Sequence, residues 1–201
     1  MKQLALAYYA IFLLSCNQNK QIKSNATQDL GKSSYAKDLI ANGFLKYADS
    51  SKIDSLQIQL TNSFDIYGAD NFKIVHIDAE ELAEFNFDFF LPNVNRILAK
   101  RNVKVSARKL NDKENSFDAL INSDTIGLFD QKDLDNNAFL DTAPKNFFLK
   151  VNEMLTAKNI DEQFYLLYGG NDLHAILLTD KQLSIIANYY KNEPKEIPYK
   201  P

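Results

Sequence analysis

Residues 164–178 of the chain read FYLLYGGNDLHAILL and contain the clearest β-hairpin pattern in the sequence. Two apolar runs, 164–168 and 173–178, flank the turn sequence GGND at 169–172. That arrangement is typical of an antiparallel β-hairpin. Residues 179–182, Thr-Asp-Lys-Gln, match the capping box that begins a helix. The sequence therefore predicts a hairpin followed directly by a closing helix.

The segments outside this hairpin mix the two hydrophobic periods without a regular alternation of strand and helix, which predicts an α+β fold. We expect a single domain over residues 32–201, with antiparallel β-hairpins packed with about four helices. Helical spacing or capping predicts helices over 33–48, after Asp78, after Pro92, from 142 onward and from 179 onward. Outside the first hairpin, strands are predicted at 56–60, 72–77, 103–107, 117–121 and 125–129. The last ten residues contain three prolines and are expected to form an extended tail.

The N-terminus has the pattern of a secretion signal. Lys2 is followed by an unbroken apolar run, Leu4–Leu14, and then by Ser15 and Cys16. The run is too short to span a bilayer, which requires about 20 apolar residues. The end of this run, Leu13 to Cys16, resembles the lipobox of bacterial lipoproteins. The resemblance implies that residues 1–15 are a signal peptide and that Cys16 becomes lipidated.

The segment 16–31 is polar and lacks hydrophobic periodicity, so we expect a flexible tether. Asn17 stands where an aspartate commonly signals retention in the inner membrane of such lipoproteins. The resemblance therefore implies a lipid-anchored protein of the cell envelope, on the outer membrane and facing the periplasm.

Composition excludes several classes of function. The 201 residues contain 23 Lys and Arg against 26 Asp and Glu, for a net charge of −3. A chain without basic excess is poorly suited to neutralise a nucleic-acid backbone, so we expect no nucleic-acid partner. Cys16 is the only cysteine, and acylation would leave no thiol for a disulfide or for catalysis.

Motifs for nucleotides, dinucleotides, zinc proteases and serine hydrolases are absent from the sequence. The two histidines, His76 and His174, both fall in predicted strands. A zinc site with two histidines and a carboxylate would require those strands to be neighbours. Otherwise each is expected to be a partly buried, hydrogen-bonded histidine, so no metal or cofactor is expected.

A second metal candidate is the pattern Asp133-x-Asp135-x-Asn137, which is similar to the start of a calcium loop. Ala138 replaces the glycine of the sharp turn, and Pro144 replaces the bidentate glutamate. We therefore interpret the segment as a polar loop before a helix.

Acidic and aromatic residues crowd together between positions 78 and 90. A solvated acidic helix face with core phenylalanines accounts for most of the pattern. Exposed aromatics rimmed by charge would instead suit a protein partner. The candidate partner-binding residues are Glu80, Glu81, Glu84, Phe87 and Asp88.

These observations favour a binding function over catalysis. The sequence predicts a protein-binding lipoprotein, most concretely an immunity or inhibitor protein against an envelope-acting, possibly cationic toxin. One alternative is a metal-independent cell-wall hydrolase with Glu81 or Glu84 as the general acid. Another is an accessory lipoprotein subunit of an envelope complex.

Overall fold

The computed structural model describes residues 34–63, 66–67, 72–110 and 117–201. The predicted signal peptide 1–15, Cys16 and the tether 16–31 lie outside the described residues. Within the described part the chain forms a single-domain α+β fold, which confirms the predicted class.

Seven α-helices occur among the described residues, where the sequence predicts about four. The helices beyond those predicted are α2, which covers a predicted strand, and α5, which is only five residues long. The helices are α1 (34–41), α2 (Ile53–Ser63), α3 (Ala79–Ala83), α4 (Leu91–Ala99), α5 (Gln131–Asp135), α6 (Phe139–Ala157) and α7 (Asp180–Tyr189). Short 3-10 helices cover Ser50–Lys52, Phe87–Phe89, Gly170–Asp172 and Pro194–Glu196.

Six strands form two antiparallel sheets of three strands each. Sheet A has the order β1-β6-β5 and sheet B the order β2-β3-β4. The strands are β1 (Ile74–His76), β2 (Ala107–Lys109), β3 (Asp118–Ile121), β4 (Asp124–Gly127), β5 (Glu162–Leu167) and β6 (His174–Thr179). Both predicted hairpins, β3-β4 and β5-β6, are confirmed, as is the capping box between Thr179 and Gln182 at the start of α7.

Sheet A has an apolar cluster on each of its faces. Alternation along β6 directs Ile176 and Leu178 to a cluster with α1, α2 and α7. Ala175 and Leu177 join a larger cluster with α3, α4, α6 and sheet B. The central hairpin is therefore covered on both sides, which explains why its strands are nearly continuous apolar runs.

The strand predicted at 56–60 is wrong, because these residues belong to α2. Leu56 and Leu60 are four residues apart and lie buried on one helix face, whereas Ile58 is 62% exposed. A helix places position i+2 on the opposite side, so a short apolar-polar alternation fits one wet helix face as well as a strand.

Other predicted boundaries are also shifted. The helix expected over 33–48 ends at residue 41. Helix α6 begins at Phe139, so Pro144 lies inside it rather than in its first turn. The segment 103–106 has the predicted alternation of buried and exposed residues but lies before β2. There the side chain of Asn95 donates to the backbone carbonyl of Val105 and accepts from the backbone amide of Val105, both at 2.8 Å. These two bonds replace the ones that a neighbouring strand would make.

The outer edge of β5 is covered by two different groups. Tyr199 pairs with Leu166 through two backbone hydrogen bonds of 2.8 Å, which fixes the C-terminal segment against the sheet. The buried side chain of Asn152, on α6, accepts from the amide of Phe164 at 2.7 Å and donates to its carbonyl at 2.9 Å. The tail predicted to be extended is thus docked against the sheet, and Pro194–Glu196 within it form a 3-10 helix.

Candidate functional site

The two histidines meet at the end of sheet A. Antiparallel pairing of β1 with β6 places His76 directly opposite His174, and their ring centroids lie 5.0 Å apart. His76 is exposed and His174 is half-buried. The condition that the sequence left open, adjacency of the two histidine strands, is therefore met.

The turn of the β5-β6 hairpin holds both imidazole rings. Nε2 of His76 bonds to the carbonyl of Asn171, and Nδ1 of His174 bonds to the carbonyl of Asp172, each at 2.7 Å. Gly170 supports this turn with a φ of +57°, a conformation that glycine adopts without steric cost. The turn residues and the histidines form one unit.

Two further rings extend the pair into a row. Phe89 lies beside His76 with ring centroids 5.8 Å apart, and Tyr168 lies beside His174 at 6.2 Å. Phe89 is 44% exposed and Tyr168 is 37% exposed. We call Phe89, His76, His174 and Tyr168 the ring row.

A cleft of about 590 Å³ adjoins the Tyr168 end of the ring row. Tyr168, Asp172, His174, Lys195 and Tyr199 are among its lining residues. The hydroxyl of Tyr199 donates to the carbonyl of Tyr168 at 3.0 Å, and burial raises the pKa of the Tyr199 phenol.

Carboxylates accompany the ring row along its length. Asp88 precedes Phe89 in the same 3-10 helix, and Asp172 lies in the turn that holds the histidines. The carboxylate of Glu196 accepts from the hydroxyl of Tyr168 at 2.6 Å. We call Asp88, Asp172 and Glu196 the acidic rim; Lys195 is the cationic residue beside it.

The acidic residues singled out from the sequence lie on and after α3. Glu80, Glu84 and Asp88 are exposed, whereas Glu81 is half-buried and accepts a hydrogen bond from the side chain of Asn86. Asp78 caps α3 by accepting from the amide of Glu80, as predicted. Helix α3 packs against the histidine-holding turn.

Phe87 does not belong to that surface. Its side chain is 4% exposed and contacts Phe90 and Phe147 in the larger core cluster. The exposed aromatic of the segment is Phe89, two residues later. The closely spaced phenylalanines of this segment follow no hydrophobic period that would mark which of them are buried. The sequence therefore could not distinguish the buried Phe87 from the exposed Phe89.

The carboxylates proposed for glycoside hydrolysis lack an enclosed setting. A general acid of this kind needs an apolar environment that favours its protonated form. Glu84 is exposed, and Glu81 is held by a polar amide, so neither lies in such an environment.

In the calcium-like pattern, the carboxylate of Asp133 takes part in helix capping. Asp130 and Asp133 form a reciprocal capping box at the start of α5, and Asp133 also accepts from the hydroxyl of Thr142 at 3.2 Å. These bonds give the carboxylate of Asp133 a structural role.

A buried ion cluster that the sequence did not reveal joins the segments just before β1 and just after α4 to β5 and α7. Glu162 accepts from Lys73 at 2.5 Å and from Arg101 at 2.5 and 2.8 Å. Gln182 adds a weaker contact to Lys73 at 3.3 Å. Arg101 also stacks on the ring of Tyr47, with its guanidinium carbon 3.8 Å from the centroid. Lys, Arg, Glu and Gln are usually exposed, so nothing in their spacing predicts burial.

Electrostatics within this cluster favour the ionised carboxylate. Burial by itself would raise the pKa of Glu162, but the hydrogen bonds and charges of Arg101 and Lys73 outweigh it and lower that pKa. Burial lowers the pKa of Lys73, and the attraction of Glu162 offsets only part of this effect.

The described ranges contain neither a cluster of three potential metal ligands nor a membrane-spanning helix. Among those residues, no three His, Cys, Asp or Glu side chains come together closely enough to hold a metal ion. No helix in the described part of the chain has the length and apolar character to cross a bilayer.

No protein-family model matches the chain, and no curated protein or solved structure matches it either.

Proposed function

We propose that this chain is a lipid-anchored envelope protein that acts by binding another protein through the ring row and its acidic rim. In its most concrete form it is an immunity or inhibitor protein that occupies a cationic toxin at the periplasmic face of the outer membrane. The observation that carries the proposal is the pair of exposed aromatics, Phe89 and Tyr168, at the two ends of one ordered row.

Exposed aromatic rings beside carboxylates suit recognition of a basic protein. Aromatic side chains dominate binding energy at interfaces because they bury a large area with few rotatable bonds. The acidic rim and the neighbouring carboxylates Glu80 and Glu84 would attract a cationic partner and accelerate its association. The hydrogen bonds from the turn pre-organise the two histidines, which lowers the entropic cost of binding.

The anchoring part of the proposal rests on the lipobox resemblance at Leu13 to Cys16. Several acyl chains on Cys16 would hold the domain at the membrane, because each buried CH₂ contributes about 0.8 kcal/mol. The polar segment 17–31 would connect this anchor to the domain.

Metabolic labelling with an alkyne fatty acid tests the anchor. We expect the wild-type chain to incorporate the label and to fractionate with outer membranes. Cys16→Ala should lose the label and change fraction. A labelled Cys16→Ala variant, or an unlabelled wild type, would contradict lipidation at this residue.

Competition between bacteria tests the immunity function. A strain lacking the gene should die beside a competitor that delivers the matching toxin, and the wild-type gene should restore survival. Phe89→Glu should fail to restore it. The matched control is Leu149→Glu on α6, because Leu149 is 50% exposed and lies outside the ring row.

The affinity of each variant for the purified toxin should parallel its ability to restore survival. We expect Phe89→Glu to weaken its affinity at least tenfold, about 1.4 kcal/mol, and Leu149→Glu to leave it unchanged. Equal loss in both variants, or survival that is independent of the gene, would contradict the proposal.

A further inference from the structure

We propose that His76 and His174 form a two-imidazole site for a borderline divalent transition-metal cation, Zn²⁺ or Cu²⁺. The site does not depend on the proposed function. Two imidazoles bound to one tetrahedral zinc at about 2.0–2.1 Å bring their ring centroids roughly 5 Å apart. The centroids of His76 and His174 are 5.0 Å apart, which matches this separation.

The hydrogen bonds to the turn define which nitrogens are available. A backbone carbonyl only accepts, so Nε2 of His76 and Nδ1 of His174 must carry hydrogens. In the neutral rings the lone pairs are then on Nδ1 of His76 and Nε2 of His174. Metal-binding histidines usually donate their other N–H to a carbonyl or carboxylate in this way, which fixes ring orientation.

The backbone makes the pair rigid. The two residues are opposite each other in the β1-β6 register, so neither ring needs a loop movement to approach the other. The turn that holds both rings also contains Asp172, which lines the same cleft as His174 and adds negative charge. Imidazole ligands suit zinc and copper better than calcium or magnesium.

Two protein ligands leave coordination positions for water. No third His, Cys, Asp or Glu among the described residues completes the group. We therefore expect weaker binding than at a structural zinc site with four ligands, and an open face toward solvent because His76 is exposed.

Histidine NMR tests the site, because the chain contains only two histidines. The full chain is used with Cys16→Ser, which removes the sole thiol as a competing ligand. Titration with Zn²⁺ should shift the ring signals of both histidines with one shared midpoint. Signals that respond at separate midpoints, or one signal that does not respond, would overturn the proposal.

Single substitutions test whether both rings bind one ion. His76→Gln and His174→Gln should each raise the Zn²⁺ concentration at the midpoint by about tenfold or more. A matched control is Glu153→Gln, which removes an exposed carboxylate on α6 and should leave the midpoint unchanged. An unchanged midpoint in either histidine variant would overturn the proposal.

Copper spectroscopy on the chain with both histidines intact covers the case in which a variant fails to fold. The paramagnetic resonance spectrum of added Cu²⁺ should show coupling to two imidazole nitrogens. Coupling to only one imidazole, or to none, would overturn the proposal.

Discussion

Glu162 binds Arg101 through both carboxylate oxygens, although the two residues are 61 positions apart in the sequence. The pair is buried together with Lys73. Removing the carboxylate would therefore leave two cations without their counter-charge inside the protein.

Glu162→Gln should lower the free energy of unfolding by about 3–5 kcal/mol, because it breaks a buried pair from one side. Urea denaturation monitored by circular dichroism measures the loss. Glu153→Gln makes the same chemical change in an exposed pair with Lys150 and should cost about 0–1 kcal/mol. Similar losses for the two variants would contradict the role of burial.

The contribution of Glu162 should depend on pH in a defined direction. Its pKa in the folded protein lies below the ordinary 4.5, so the folded state favours the ionised form. This stabilisation is complete above about pH 4.5 and is lost as pH falls through the folded pKa. The stability gap between wild type and Glu162→Gln should narrow from pH 7 toward about pH 3. A gap that stays constant over this range would contradict the assignment.

Two buried tyrosines should respond oppositely to loss of their hydroxyls. The Tyr35 hydroxyl finds no hydrogen-bond partner among the described residues, whereas the Tyr165 hydroxyl donates to Asp180 at 2.6 Å. Tyr35→Phe should leave stability unchanged or raise it by up to about 1 kcal/mol, while Tyr165→Phe should lower it by about 1–2 kcal/mol. Thermal unfolding of both variants measures the difference, and a larger loss for Tyr35→Phe would disprove it.

Adjacent glycines of the hairpin turn should differ in tolerance to alanine. Gly170 has φ +57° and Gly169 has φ −169°, and a Cβ atom meets no neighbour within 4 Å at either position. Gly170→Ala should therefore cost about 1 kcal/mol from backbone strain alone, while Gly169→Ala should be neutral or slightly stabilising. Chemical denaturation compares them. Equal effects would show that the left-handed conformation is not required there.

Because Leu60 and Ile58 lie in helix α2 and not in a strand, their truncation should lower stability by different amounts. Leu60→Ala should destabilise by about 2–5 kcal/mol because it empties a core position. Ile58→Ala should change stability by less than about 0.5 kcal/mol, since that side chain faces solvent. In a strand Leu60 and Ile58 would lie on the same face, and both substitutions would lower stability by a similar amount. Equal losses of stability would therefore refute the helical assignment.

Local patterns revealed the elements whose signals are contained within a few residues. The β5-β6 hairpin combines two apolar runs with a glycine turn, and the capping box at Thr179 follows at once. The five-residue alternation at 56–60 was too short to separate strand from helix.

The candidate site required information that no local pattern contains. His76 and His174 become partners only through the β1-β6 register, which depends on tertiary packing across nearly half the chain. Phe87 and Phe89 differ in exposure because a 3-10 turn rotates one of them into the core. The burial of Glu162 likewise depends on two cations from distant segments.

The covered edge of β5 also bears on self-association. An edge strand with free amides and carbonyls can recruit a strand from another molecule and seed ordered aggregates. Here Asn152 satisfies both backbone groups of Phe164, and Tyr199 satisfies both of Leu166. A second copy would have to displace a side-chain amide and a docked backbone before it could extend the sheet, so the protein would be protected from polymerising along this strand even at high local concentration.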